Sequence, residues 1–314
     1  MSVRALVAGD DIDLRDTWGH LLGQVGHSCL AASTGSEARA RRTTPSRRLG
    51  RRQFLALAWP ALLVPFVVGR RPRSAEAATG SGGYVVDVDL LYGVFGFHLD
   101  GTLTQMVDPA TGRYHVTAEG RGDGIANRVE SRGLLLDGRW VPGESHSYFD
   151  IKGRQSRSDI VYDWGRRTVK YDFRGETFFL RRVRVAHDVL SISGSMRVDD
   201  AVSAMLNYRE GRWPPQRDGS FVTNVVRRKR QENERPDDVQ DDYRAELAPF
   251  SFRVAVDPRS GERTARFDLG RFSSWAKPDH PATITFGADG NPERMTMEMI
   301  LGTSVRMGFA RSGA

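Results

Sequence analysis

The chain has 314 residues, 39% of them hydrophobic and 27% charged, with one cysteine, a formal net charge of +7 and a pI near 9.8. A single cysteine excludes an internal disulfide framework and a thiolate cage for zinc, and the length allows a core that needs no such staple. The basicity is unevenly placed: residues 1–77 hold 12 Lys/Arg against 6 Asp/Glu, leaving 34 against 33 for residues 78–314, so nucleic acid is not an expected partner of the larger part.

Residues 1–46 contain the cysteine, Cys29. They read as a disordered extension, or as the product of a start codon assigned too far upstream, and stand outside the fold reasoning. The apolar run from Phe54 to Val68 is 15 residues long and is interrupted by Pro60 and Pro65. A membrane-spanning helix needs about 20 apolar residues, so this run fits the core of a signal peptide better. Ala75-Glu76-Ala77 supplies a small-x-small cleavage pattern and sets the expected mature start at Ala78. Arg51-Arg52-Gln53-Phe54-Leu55 resembles the twin-arginine export signature. Arg70, Arg71 and Arg73, behind the core, suit the same route. Residues 47–77 are therefore expected to be a cleaved signal peptide read by the twin-arginine export machinery. That implies a periplasmic mature protein with no transmembrane segment after cleavage. A general secretory signal rich in arginine is the alternative.

From residue 78 onward the pattern alternates with period two, the mark of strands with one buried face. Tyr84, Val86, Val88 and Leu90 share a face, as do Tyr114, Val116 and Ala118, then Phe149 and Ile151, then Ile160, Tyr162 and Trp164. Gly165-Arg166-Arg167 turns the chain into Val169, Tyr171 and Phe173. Further strands are expected at 178–185, 221–226, 250–256, 264–269, 283–286 and 295–301. Asp137-Gly138, Asp257-Pro258 and Asp289-Gly290-Asn291-Pro292 mark reversals between them. One helix stands out: Asp199 is placed to cap residues 200–210, Val202, Met205 and Leu206 fall on one face, and Trp213-Pro214-Pro215 stops it. The expected fold is all-β with one short helix: a single mature domain, 78–314, built on a large curved antiparallel sheet forming a half-barrel or open barrel.

The opening Tyr84-Val85-Val86-Asp87-Val88 strand, the stretch Gly133–Tyr171, the helix Asp199–Glu210, "RFSSWAKPDHPATITF" and the closing "NPERMTMEMILGTSVRMGF" together resemble the Domain of Unknown Function 3108 family of exported bacterial envelope proteins. Asp200-Ala201-Val202-Ser203-Ala204 matches that family's helix start best, and the charged segment 227–246 departs from its pattern. The resemblance implies a sheet-and-helix plan like that of periplasmic lipoprotein carriers. It brings no activity, cofactor or catalytic residue to carry over.

The remaining chemistry is sparse. His98, His115, His146, His187 and His280 are too far apart in sequence for a ligand pair. Gly194-Ser195-Met196 lacks the strand-turn-helix setting of a nucleophile elbow, and Gly120-Arg121-Gly122-Asp123-Gly124 lacks the ending of a phosphate loop. Asp87 and Asp89 share a strand face that reads as solvated, and so do the charges from Arg227 to Glu246, although four basic residues at 227–230 also suit anionic lipid. Met295, Met297, Met299 and Leu301 form an apolar row, read either as core or as the wall of an acyl-chain groove. The functional expectation is non-catalytic binding or carriage of a hydrophobic or amphiphilic envelope component, or of a partner protein, without a cofactor. An envelope polysaccharide- or lipid-modifying enzyme with a scattered site is the alternative.

Overall fold

The structure is a computed structural model that describes residues 4–8 and 28–32. It also describes residues 78–310, with breaks at 91, 93–94, 178–179, 231–233, 235–237, 271, 274–275 and 278. The chain divides into two units, Met1–Arg52 and Gln53–Ala314. In the first, β1 (Arg4–Ala8) and β2 (Ser28–Ala32) pair in parallel, with Arg4 opposite Ser28. Both strands fall inside the stretch expected as an extension. All that follows concerns the second unit.

Eight strands come first: β3 (Ala78–Leu90), β4 (Phe95–Asp108), β5 (Arg113–Gly122), β6 (Ile125–Leu136), β7 (Arg139–Ile151), β8 (Arg154–Asp163), β9 (Thr168–Glu176) and β10 (Val183–Ser191). Helix α1 (Ala201–Arg209) follows, then β11 (Ser220–Arg228), β12 (Ala245–Val256), β13 (Arg263–Phe267), β14 (Ala282–Phe286), β15 (Pro292–Glu298) and β16 (Ser304–Phe309). The fourteen strands make one antiparallel sheet in which β3 pairs with both β4 and β16, so the sheet's free edges are β10 and β11, in the middle of the chain. The sheet curls until these edges approach each other and the barrel is nearly closed. The seam has no ladder of its own; it is bridged where Val198 pairs with Asn224 and Ala186 with Tyr243.

Alternation sets the inside and outside of this barrel. Tyr84, Val86, Val88 and Leu90 of β3, Tyr114, Val116 and Ala118 of β5, and Val169, Tyr171 and Phe173 of β9 are all buried. Burying each large apolar side chain contributes about 1.5–3 kcal/mol. Large side chains are matched to glycines on neighbouring strands: a Cβ at Gly101 would fall on the Tyr84 ring, one at Gly120 on Leu99 beside the Tyr84 hydroxyl, and one at Gly133 on the Tyr114 ring and the Val141 carbonyl. Tyr84 lies across those gaps and donates to Asn127 Oδ1 at 2.9 Å. Asp137 and Gly138, both at positive φ, make the two-residue reversal between β6 and β7.

Four expectations need correction. Of the strand expected at 178–185, only the end is found among the described residues: Leu180 lies in a turn and β10 begins at Val183. The helix cap is Asp200, one residue later than expected, and the helix stops at Arg209, where Gly211 takes φ 70° before the prolines are reached. Strand β15 ends at Glu298; Ile300–Gly302 form a 3-10 turn, which buries Ile300 and takes Leu301 off the strand.

The fourth correction concerns the charged stretch. Arg228 is only 7% exposed and makes a two-pronged pair with Glu234 at 2.7 and 3.0 Å, stacked over the Tyr243 ring. Arg184 of β10, also buried, reaches Glu234 at 3.5 Å and the carbonyl of Asp238. Arg227 pairs with its cross-strand neighbour Glu246 at 2.7 Å. Within this stretch folding buries Arg228 and Glu234 with Arg184 of β10 at the seam, while Asp241, Asp242 and Arg244 stay exposed as expected.

Candidate functional site

Helix α1 is held by polar groups at both ends. Asp200 accepts from the Ser203 amide at 2.7 Å while Ser203 Oγ accepts from the Asp200 amide at 3.0 Å, a reciprocal cap. Ser131 of β6 also donates to Asp200, and Tyr114 bonds Ser131 at 3.0 Å. Burial pushes the Asp200 carboxyl above the usual range, and the neighbouring Asp199 charge adds to the effect. Asp199 itself, fully buried, accepts from Arg197 at 2.7 Å, Thr223 at 2.6 Å and Arg139 at 3.3 Å. It thereby ties β7, β11 and the approach to the helix together across the seam. Farther along, the Asn207 amide exchanges two hydrogen bonds with the Trp140 backbone, at 2.7 and 2.9 Å, in the manner of a neighbouring strand.

So anchored, the helix faces an apolar cavity of about 60 Å³ shared with β12–β16. Ala201, Ala204 and Met205 of the helix line one side. Phe250, Phe252, Phe267, Phe286 and Trp213 form an aromatic wall, and Met295 and Phe309 complete it. The rings interlock: Trp213 meets Phe252 edge-on at 5.2 Å, Phe250 meets Phe267 at 5.4 Å, and Phe221 stacks on Phe252 at 5.0 Å. A smaller cavity, about 30 Å³, is lined by Met297, Met299 and Met307 with Val86, Leu99 and Phe149.

The methionine row thus points inward. Met295, Met297 and Met299 are 4%, 2% and 4% exposed, and they divide between two small cavities instead of lining one groove. The Leu301 side chain lies outside the described residues, as do Arg51, Arg52, Phe54, Leu55, Ala75 and Ala77. Asp87 and Asp89 lie on the outer face, bonded to His98 at 2.8 Å and Arg306 at 2.7 Å. His115 and His280 each meet one carboxylate on the surface, at 3.0 Å, and His146 meets Asp159 at 2.7 Å and Glu144 at 3.6 Å. Among the described residues no three His, Cys, Asp or Glu side chains gather to hold a metal ion. No described helix is long and apolar enough to cross a membrane.

Sequence reasoning missed the aromatic wall. Its signal was present in the alternation of Phe250 with Phe252 and in the isolated Phe267 and Phe286, each on the inward face of a short strand. No family model and no curated protein matches the chain. Among solved structures, the chain is similar to a beta-barrel-like protein of Domain of Unknown Function DUF1849 from Brucella abortus, at 12% identity and a TM-score of 0.38, over 76% of this chain and 98% of that one.

Proposed function

We propose that the protein is exported through the twin-arginine route and works in the cell envelope without catalysis, by holding the apolar part of an amphiphilic component. The observation that carries this reading is the aromatic-walled cavity beside α1, the larger of the two interior spaces described. Apolar pockets with a few convergent polar groups are the usual sites of small-molecule binding. The buried carboxylates Asp199 and Asp200, by contrast, are occupied in fixing the helix. At about 60 Å³ the space falls well short of the roughly 300–1,000 Å³ that encloses a drug-sized ligand. It suits one end of a ligand and not a whole lipid. The likeness to the Domain of Unknown Function 3108 family and the twin-arginine-type leader support the envelope setting.

Two measurements test this. Solvent extraction of protein purified from the cell, followed by mass spectrometry, should recover an amphiphile enriched over an unrelated periplasmic control; none enriched removes the binding role. Arg51→Lys with Arg52→Lys should leave the precursor uncleaved in the cell, because the ammonium does not reproduce the guanidinium's geometry. Normal processing of that variant removes the twin-arginine route.

A further inference from the structure

The outer face of the barrel is not uniform in charge. Across β6 to β10, cations and carboxylates are interleaved and bonded: Arg132 with Glu130 at 2.6 Å, Arg157 with Asp159 at 2.7 Å, Lys170 with Asp172 at 3.0 Å. Across β12 to β16 the pattern changes. Register places Arg253, Arg266, Thr283, Thr296 and Arg306 side by side in one outward row. Thr264, Thr285 and Arg294 lie in the next. All four arginines are exposed, and neither row holds a carboxylate between β12 and β16. The bordering acids are engaged: Asp218 with Arg253 at 2.6 Å, Asp89 with Arg306 at 2.7 Å, Asp87 with His98 at 2.8 Å, and Glu298 with His280 at 3.0 Å. Glu262 stands outside both rows, just before β13.

Arg266 and Arg294 make no ion pair or hydrogen bond among the described residues. Arg266 also stands directly opposite Arg253 in the ladder, where like charges repel. A bound anion would relieve that repulsion, and the planar guanidinium fork fits a carboxylate.

What lies between the arginines narrows the partner. Thr283 and Thr296 share a hydrogen bond at 2.6 Å, which leaves one hydroxyl proton and several lone pairs free, and Thr264 pairs across the ladder with Thr285. Short hydroxyl side chains flanked by long cationic ones make a shallow polar trough. From β13 to β16 it is about 14 Å wide, at about 4.8 Å per strand. No large apolar side chain is exposed in either row between β12 and β16, so this face offers nothing to bury in a bilayer.

We infer that this face docks an acidic polysaccharide, with carboxylates on Arg266 and Arg294 and sugar hydroxyls on the threonines between. The inference stands apart from the cavity beside α1: it concerns the other side of the barrel wall and needs no apolar ligand.

Affinity electrophoresis of the full-length protein through gels containing polygalacturonate or neutral dextran tests it, with sedimentation on phosphatidylglycerol vesicles alongside. Polygalacturonate should retard the protein and dextran should not. Arg266→Gln with Arg294→Gln should weaken polygalacturonate binding at least about tenfold, through the loss of charge-assisted bonds. Thr283→Val with Thr296→Val, a change that strands accept, should weaken it about fivefold. Arg113→Gln with Arg174→Gln removes the same charge from β5 and β9 and should change it less than about twofold, because salt screens distant charges. Melting temperatures matching the parent show that the variants are folded. Equal losses from the two arginine pairs would make the effect one of net charge and overturn the assignment to this face. Binding to vesicles without binding to polygalacturonate overturns the polysaccharide in favour of a membrane. Retardation by dextran, or no retardation by polygalacturonate, overturns the inference outright and leaves the cavity's binding role standing.

Discussion

Asp199→Asn is the sharpest test of how the barrel is closed. The carboxylate is fully buried and faces two guanidinium groups, Arg197 at 2.7 Å and Arg139 at 3.3 Å, with the Thr223 hydroxyl donating at 2.6 Å. Asparagine keeps the shape and removes the charge, so both arginines lose their counter-ion while still confined. Breaking a buried pair from one side typically costs about 3–5 kcal/mol. Here the arginine side chains retain 21% and 17% exposure, so water recovers part of the loss and the low end, about 3 kcal/mol, is expected. For a domain of this size about 2–4 °C of melting temperature goes with each kcal/mol, which gives a fall of about 6–12 °C. Thermal unfolding followed by near-ultraviolet circular dichroism, which reports the packed aromatic interior, would measure it. Adding Arg197→Gln to the variant should cost less than the same change in the unaltered protein, because one uncompensated charge is removed along with the side chain. A melting temperature within about 2 °C of the parent, or strictly additive losses, would refute the idea that this cluster holds the seam.

Two other outcomes follow from the interior. Asp200 has its folded pKa raised by burial, so the fold binds its proton more tightly than the unfolded chain does. Its contribution to stability is present below the unfolded carboxylate pKa and is lost as pH rises toward the folded value. Asp200→Asn, which keeps a capping side chain, should therefore gain stability relative to the parent as pH rises through that window in urea titrations; a difference that stays constant with pH counts against it. Gly120→Ala would place a methyl group against Leu99, Asn127 and the Tyr84 hydroxyl. Overpacking of that kind typically costs about 1–3 kcal/mol, and the second change Tyr84→Phe should recover little of it, because Leu99 still blocks the space.

Most of the fold was legible because one physical rule, alternate burial on a pleated strand, governs most of it. Tyr84 to Leu90, Tyr114 to Ala118 and Val169 to Phe173 were assigned to an inner face from spacing alone, and all are buried. The rule failed where local pattern and long-range pairing conflict. Phe178 to Val185 offered strand-forming residues, but the ladder partners of β9 begin only at Val183. Glu234 and Arg228 look like any solvated charges until residues far apart in sequence, such as Arg184, come within reach. The candidate site was the least legible part. The aromatic wall is assembled from β12, β13, β14 and β16 with Trp213, and each contributes only one or two rings. Nothing in any one of those segments marks it as part of a site.

The pairing of β3 with β16 has a consequence for how the protein is made. Asp89 and Ser304 are hydrogen-bonded neighbours although 215 positions separate them in sequence. At synthesis rates of about 5–20 residues per second, β3 waits on the order of ten to forty seconds for its second neighbour, with one edge open throughout. The sheet becomes continuous only when its last strand is delivered, so a nascent chain lacking β16 keeps two exposed edges inside the barrel wall instead of the one seam that side chains can fasten. On the twin-arginine route proposed above, if it takes only folded chains, the arrival of residues 304–309 would be the event that makes the chain fit for export.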